Sequence, residues 1–350
     1  PPMKAYVFDG KDTAKLVERE KPEIINQSDV IVKIEKTTIC GTDLHILRNN
    51  VATFKPGTIM GHEGVGIVES CGDRVNNFRP GDRVIVSCIT SCGSCKMCKV
   101  SKFGQCLDGG WLLGNEIDGC QAEYVRVPYG DTSLHLVPDD IDTDCLVLLS
   151  DIFPTGYEVG VLDGQVQPGC SVAVIGCGPV GLAALMTSKF FSPSEIYAID
   201  NNPHRLQVAQ DLGATHAIDN SDGTAVQQIL DMTDDVGVDV VIEAIGIPAG
   251  WDMSQKLVCP GGNIAVLGVH GKPATINLED MWKRNFTMTA GMVHTHTIPM
   301  LIKQIRAGYF NPKDLISHQF KLSEAEEAYS TFTHASDHES LKVIISNDCS

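Results

Sequence analysis

Between Ser171 and Leu212, strand-length and helix-length segments alternate: Ser171 to Ile175, Val180 to Phe191, Glu195 to Asp200 and Pro203 to Leu212. Val238 to Ile245 and Asn263 to Leu267 carry the rhythm further. Strands joined through helices run parallel, and a parallel sheet is covered by helices on both faces. The first of these strands leads straight into Gly176-Cys177-Gly178-Pro179-Val180-Gly181, which opens a helix. In that setting the G-x-G-x-x-G pattern describes a dinucleotide site. Gly176 permits the tight turn, Gly178 lets the backbone approach a pyrophosphate, and Gly181 lets helix and strand pack closely. Pro179 and Val180 begin the helix whose positive end meets the phosphates. Asp200 closes the next strand, 19 residues beyond Gly181. Its carboxylate suits two ribose hydroxyls and repels a 2′-phosphate, which favours NAD over NADP. Arg205 leaves two readings open: beside the adenosine, where it tolerates a phosphate, or solvated on its helix.

Up to residue 150 the pattern differs, with short β segments punctuated by Gly and Pro: Val30 to Ile34, Gly66 to Val68 and Asp82 to Val86. A chain of 350 residues exceeds what one core usually holds, so more than one domain is expected. The reading is an α/β chain: a β-rich domain over residues 1–153, a doubly wound parallel-sheet domain of Rossmann type over 154–292, and a segment, 293–350, that returns to the first. In that last segment Ile298, Leu301, Ile302 and Ile305 form a helical stripe closed by Gly308. Ser323 and Glu326 predict a capping box before another helix. Leu341 to Ser346 reads as a strand without an evident sequence partner, and Pro1 and Pro2, ahead of Met3, are set aside as a remnant outside the fold.

Cys92-Gly93-Ser94-Cys95-Lys96-Met97-Cys98 and Cys106 pack four thiols into one loop, at C-x2-C-x2-C-x7-C spacing. Four thiolates so close need a cation, and they surround Zn2+ with no position left open, as in a structural site. The lobe spans about residues 88–110. An iron–sulfur run ends C-x3-C-P, whereas seven residues separate Cys98 from Cys106 and Leu107 follows. Disulfides suit small secreted scaffolds. With 13 cysteines and no secretory leader in evidence, free thiols in a reducing, cytoplasmic setting are expected. A net charge of −17 disfavours nucleic-acid or acidic-membrane partners. The longest apolar run, Val172 to Met186, is broken by Gly176, Gly178, Pro179 and Gly181 and is too short to span a bilayer.

Gly61-His62-Glu63-Gly64-Val65-Gly66, then Gly72 and Val75, fit G-H-E-x2-G-x5-G-x2-V at every fixed position; Cys40-Gly41-Thr42-Asp43-Leu44-His45 lies upstream. With the four-Cys lobe and the nucleotide motif, these segments resemble the zinc-dependent medium-chain alcohol dehydrogenases over nearly the whole chain. The resemblance implies a GroES-like catalytic domain and a catalytic zinc in a cleft between domains, with Cys40 and His62 as its first ligands. Liver-type members carry Cys four residues before Thr-Gly-Tyr; here Asp151 holds that offset before Thr155-Gly156-Tyr157. Bacterial-type members use Asp there, so Asp151 is the implied third ligand, at a strand-to-helix turn. Glu63 is implied either as an intermittent ligand or as an outer carboxylate.

The same resemblance assigns Thr42 as acceptor of the substrate proton and His45 as the relay that passes it on. It puts Thr155 behind the nicotinamide and the backbone at Gly268-Val269 and Gly291-Met292 on its carboxamide. Trp111 and Leu112 line the substrate pocket in this reading. The implied activity is NAD-dependent hydride transfer between small primary or secondary alcohols and aldehydes or ketones, with two zincs per chain in a homotetramer. Polyol, butanediol and threonine dehydrogenases share the zinc motif. A non-catalytic zinc- and nucleotide-binding relative is the other class in play.

Overall fold

The computed structural model describes residues 1–10 and 12–348. The chain divides into two compact units, one of Pro1–Pro154 with Val293–Ser350 and one of Thr155–Met292. The first unit opens with β1 (Pro2–Phe8) and β2 (Ala14–Glu20), an antiparallel pair. Pro2 pairs with Glu20, so the residue set aside in the sequence reading belongs to a strand. β3 (Val30–Thr38), β4 (Gly64–Cys71), β5 (Arg83–Val86), β6 (Tyr124–Val127) and β7 (Leu134–Leu136) follow. Alternate side chains of β3 and β4, among them Val30, Val32, Ile34 and Val68, share a core with Val84, Val125 and Val127.

In the second unit β8 (Ser171–Ile175), β9 (Glu195–Asp200), β10 (His216–Asp219), β11 (Val238–Glu243), β12 (Val258–Val266) and β13 (Thr287–Ala290) make one six-stranded sheet. All its pairings are parallel, in the order β10-β9-β8-β11-β12-β13. The order reverses between β8 and β11, where an open α/β sheet leaves a crevice beyond its strand ends. Val172 to Ile175 are fully buried, as expected of a strand covered on both faces. β12 begins at Val258, five residues before the sequence reading placed it, because Val238 pairs with Val258 ahead of a register shift.

The chain then returns to the first unit. β14 (Ile316–Lys321) and β15 (Lys342–Ser346) join its main sheet, and β15 lies between β14 and β3. The helical stripe forms the helix Ile298–Arg306, and Gly308 takes φ +81° just beyond it. The capping box falls elsewhere than Ser323 and Glu326. A 3-10 turn, Leu322–Glu324, precedes the helix Ala325–Thr333, so the Lys321 N–H donates to Glu324 Oε1 at 2.9 Å, two residues earlier. Among the described residues every cysteine is a free thiol, and no helix is long and apolar enough to cross a membrane.

Candidate metal and nucleotide sites

The helix Gly41–Leu47 starts at Cys40, whose extended backbone turns the chain out of β3. Asp43 bends back so that Oδ2 accepts the Cys40 N–H at 2.9 Å, closing the helix start. His62 and Glu63 enter β4 and are 4 % and 0 % exposed. Asp151 sits in a turn between the helices Thr143–Val147 and Ile152–Thr155, not at the strand-to-helix turn read from sequence. Asp142 accepts the Asp144 N–H at 2.9 Å and starts the helix Thr143–Val147 where that reading expects a strand before the turn. One ligand atom from each of Cys40, His62, Glu63 and Asp151 lies within 4.8 Å of the others. His62 Nε2 is 2.9 Å from Asp151 Oδ2, and Cys40 Sγ is 3.6 Å from the same oxygen. The Cys145 thiol instead donates to Asn311 Oδ1 at 3.6 Å.

Acidic groups crowd this cluster and oppose one another's ionisation. Burial pushes the Cys40 thiol up, and Asp151 adds to the rise. Burial also lifts Glu63, to about 7, against the pull of Lys342. Burial opposes charge on His62, yet Asp151 at hydrogen-bond distance and the nearby Asp43 charge hold its pKa well above the ordinary value. His62 Nδ1 and Asp43 Oδ1 lack hydrogen-bond partners although both are buried, and they face each other at 3.6 Å. A divalent cation on Cys40, His62 Nε2 and Asp151 fits all of this: it neutralises the donors and leaves the remaining ring proton on Nδ1, facing the Asp43 carboxylate. Glu63 is tied elsewhere. Lys342 Nζ reaches its two oxygens at 3.2 and 3.1 Å and the Ile39 carbonyl at 2.8 Å.

Around the cluster, Thr42 Oγ1 is 3.5 Å from Cys40 Sγ. His45 follows one helical turn later, half-buried, with burial and Arg48 pushing its pKa down. The Trp111 indole meets the His62 ring edge-on at 5.8 Å. Leu112 is not brought to this cluster; it borders a surface hollow with Asp29, Arg126 and Tyr129.

Cys92, Cys95, Cys98 and Cys106 likewise lie within 4.8 Å of one another. Backbone N–H groups of Ser94 and Cys95 point at Cys92 Sγ at 3.4 and 3.3 Å, and that of Cys106's neighbour in space, Cys92, points at Cys106 Sγ at 3.2 Å. Such N–H groups stabilise thiolate, and those of Leu107 and Cys98 lower Cys95 to about 6. Cys95 and Cys106 sulfurs are 4.0 Å apart. Zinc–sulfur bonds of about 2.3 Å in a tetrahedron set sulfurs about 3.8 Å apart, so this spacing suits a closed four-sulfur zinc site.

In the second unit Gly176 has φ +97°, and a Cβ on Gly181 would stand 1.9 Å from the Gly176 carbonyl oxygen. Both positions therefore demand glycine. Gly178, Pro179 and Val180 remain half-exposed at the start of the helix Pro179–Ser188. Asp200 Oδ2 accepts the Cys177 N–H at 2.8 Å and Oδ1 accepts that of Asn202 at 2.8 Å, so its carboxylate is fixed against the glycine turn. The Arg205 guanidinium reaches the same turn: a Cβ on Gly178 would lie 3.4 Å from its Nη1. Thr155 precedes a π-helix, Gly156–Leu162. Gly268 packs on the Gly246 backbone beside β11, while Val269, Gly291 and Met292 are exposed.

Residues 26–139 match the alcohol dehydrogenase GroES-like domain, and residues 179–307 match the zinc-binding dehydrogenase family. An alcohol dehydrogenase of Cupriavidus necator is 33% identical, over 96% of this chain and 96% of that protein. The chain belongs to the zinc-type alcohol dehydrogenases. Zinc dependent alcohol dehydrogenase 2 from Streptococcus pneumonia, in an apo form, superposes with a TM-score of 0.95 at 49% identity, covering 99% of each chain. Sorbitol dehydrogenase of Bacillus subtilis is 30% identical, over 93% of this chain and 92% of its own.

Three contacts in this zinc-type alcohol dehydrogenase involve residues that sequence reasoning did not single out. Asp43 and Lys342 buttress the metal cluster as described. In the second unit Glu243, 0 % exposed at the end of β11, accepts the Ile245 and Gly246 N–H groups at 2.8 and 2.7 Å, and its other oxygen meets His270 Nε2 at 2.7 Å. Asp43 had a signal, three residues after Cys40 at capping-box spacing. Lys342 and Glu243 sit in apolar strands and had none.

Proposed function

We propose that the chain is an NAD-dependent zinc alcohol dehydrogenase interconverting small primary or secondary alcohols with aldehydes or ketones. The observation that carries this reading is the convergence of Cys40, His62 and Asp151 around one point, beside Thr42. Cys40, His62 and Asp151 would hold a zinc ion, which would supply Lewis acidity toward the alcohol oxygen and so lower its pKa. Thr42 accepts the hydroxyl proton, and His45, kept neutral by burial, takes it onward. Glu63, bound to Lys342, serves as an outer carboxylate. Trp111 bounds the substrate side of His62, and the glycine turn with Asp200 holds the dinucleotide. Gly268, Val269, Gly291, Met292 and Thr155 are assigned to the nicotinamide. A rate panel of ethanol, 2-propanol, butanediol, sorbitol and threonine tests the substrate class. A polyol dehydrogenase is the second reading, favoured by the sorbitol dehydrogenase relative; sorbitol turnover above that of ethanol would replace the first.

Metal analysis should find about two zincs per chain. A chelator is expected to remove the zinc at Cys40, His62 and Asp151 first, abolishing activity while the four-sulfur zinc and the circular dichroism spectrum persist. One metal per chain, with Cys92, Cys95, Cys98 and Cys106 all open to a thiol reagent, contradicts the four-sulfur assignment.

Asp200→Gly is expected to raise the KM for NAD and shift preference toward NADP. Loss of a charge-assisted bond costs about 1.5–3 kcal/mol, roughly tenfold to a hundredfold in affinity. Since Asp200 also holds the Cys177 N–H, part of the loss falls on both cofactors. The NAD:NADP ratio is therefore the decisive readout, and an unchanged ratio rejects the assignment.

A further inference from the structure

A buried hydrogen-bonded chain runs from the helix Ala325–Thr333 to the metal cluster. Tyr329 donates its hydroxyl to Gln121 Oε1 at 2.5 Å, and Gln121 Nε2 donates to Asp43 Oδ2 at 3.3 Å. That same carboxylate oxygen receives the Cys40 N–H at 2.9 Å, and its partner oxygen faces His62 Nδ1. Asp43 and Gln121 are fully buried and Tyr329 nearly so. Burial and the nearby Asp43 charge keep the Tyr329 phenol protonated, so it remains a donor.

The chain is also packed in place. The Tyr6 ring of β1 stacks on Tyr329 at 4.8 Å. The Gln121 N–H donates to the Met60 carbonyl at 2.8 Å, and the Cys120 N–H to the Gly61 carbonyl at 2.9 Å. Gln121 lies so tightly against the residue before His62 that a Cβ on Gly61 would stand 2.6 Å from Gln121 Cγ; Gly61 itself has φ +96°. Gly61, in the G-H-E motif, thus makes room for Gln121. A metal-bound histidine depends on the group that receives its second ring proton, and that group depends on its own partners. Asp43 has two duties, toward Cys40 and toward His62, and a rotation of its carboxylate would disturb both.

We propose that Gln121 and Tyr329 are positioning residues for the metal centre, fixing the Asp43 carboxylate that orients Cys40 and His62. The inference rests on reading Cys40, His62 and Asp151 as a zinc site. Tyr329 acts only through Gln121, and this dependence is what distinguishes positioning from plain packing.

The test uses the full-length protein as Tyr329→Phe, Gln121→Leu and the double variant. It reads the rate at which a chelator removes the more labile zinc, and the visible absorption of Co2+ exchanged into that site. Loss of a histidine's outer partner typically costs about 10–100-fold in metal affinity. One link further out, Tyr329→Phe should release zinc about threefold to tenfold faster, and Gln121→Leu about tenfold or more, each with an altered Co2+ band. The double variant should match Gln121→Leu within about twofold. The zinc of the four-cysteine lobe is the internal control and should leave at its usual rate. The inference is overturned if the Tyr329→Phe effect persists in full in the Gln121→Leu background. It is also overturned if the variants lose thermal stability with zinc release and the Co2+ band unchanged. Should the parent protein hold no labile second zinc, the functional reading fails first, and the inference falls with it.

Discussion

Asp151→Ala is expected to lose the labile zinc and nearly all turnover while keeping the zinc of Cys92, Cys95, Cys98 and Cys106 and a native circular dichroism spectrum. Asp151 Oδ2 is the atom on which His62 Nε2 and Cys40 Sγ converge, at 2.9 and 3.6 Å. Without it Cys40 and His62 remain, Glu63 being held by Lys342, and two donors are too few for a catalytic zinc, which takes three protein ligands and one open position. Cys145, six residues earlier, is the rival thiolate, but its Sγ is engaged with Asn311. Cys145→Ala should therefore cost mainly packing, about 1 kcal/mol, and leave metal content unchanged. Two zincs with near-normal kcat in Asp151→Ala, or an emptied labile site in Cys145→Ala, would reverse the assignment.

Lys342→Met is expected to destabilise the fold by about 3–5 kcal/mol, the usual cost of leaving one member of a buried ion pair alone. Lys342 is 1 % exposed and Glu63 0 %, and among the described residues no other lysine or arginine pairs with Glu63. Removing the lysine leaves the carboxylate desolvated among Asp151 and Asp43, both of which already oppose its ionisation. Adding Glu63→Gln should recover most of the loss, because a neutral amide needs no counter-charge. Urea unfolding at matched zinc content measures both variants. A shift under about 1 kcal/mol in the single variant would mean that Glu63 is sustained by something other than Lys342.

The features legible in the sequence are those whose determinants lie close together along it. The parallel sheet followed from contiguous apolar segments, and the turn at Gly176 from glycines within six residues. Cys92, Cys95, Cys98 and Cys106 are neighbours for the same reason. Cys40, His62 and Asp151 are remote from one another, and only resemblance to a family joined them. Local form around Asp151 was misread because Cys145–Leu149 is apolar throughout, and such a run has no periodicity to separate helix from strand. Ser323 and Glu326 fitted a capping pattern that a preceding 3-10 turn displaced to Lys321 and Glu324. What stayed hidden were polar groups paired across the fold: Lys342 with Glu63, Tyr329 with Gln121, His270 with Glu243. A lysine in a strand ordinarily reads as a solvated edge position, and nothing local announces that its partner lies 279 residues away.

The placement of β15 between β14 and β3 has a consequence for the order of events during synthesis. Cys40, His62 and Asp151 leave the ribosome before Lys342 and the strand that seats it, which follow Asp151 by 191 residues. Until then β3 lacks its neighbour on that side, and Glu63 has no counter-ion. A nascent chain can gather Cys40, His62 and Asp151, yet it lacks the lysine that favours the charged form of Glu63 and holds its carboxylate. Maturation of the centre is thereby tied to the arrival of β15.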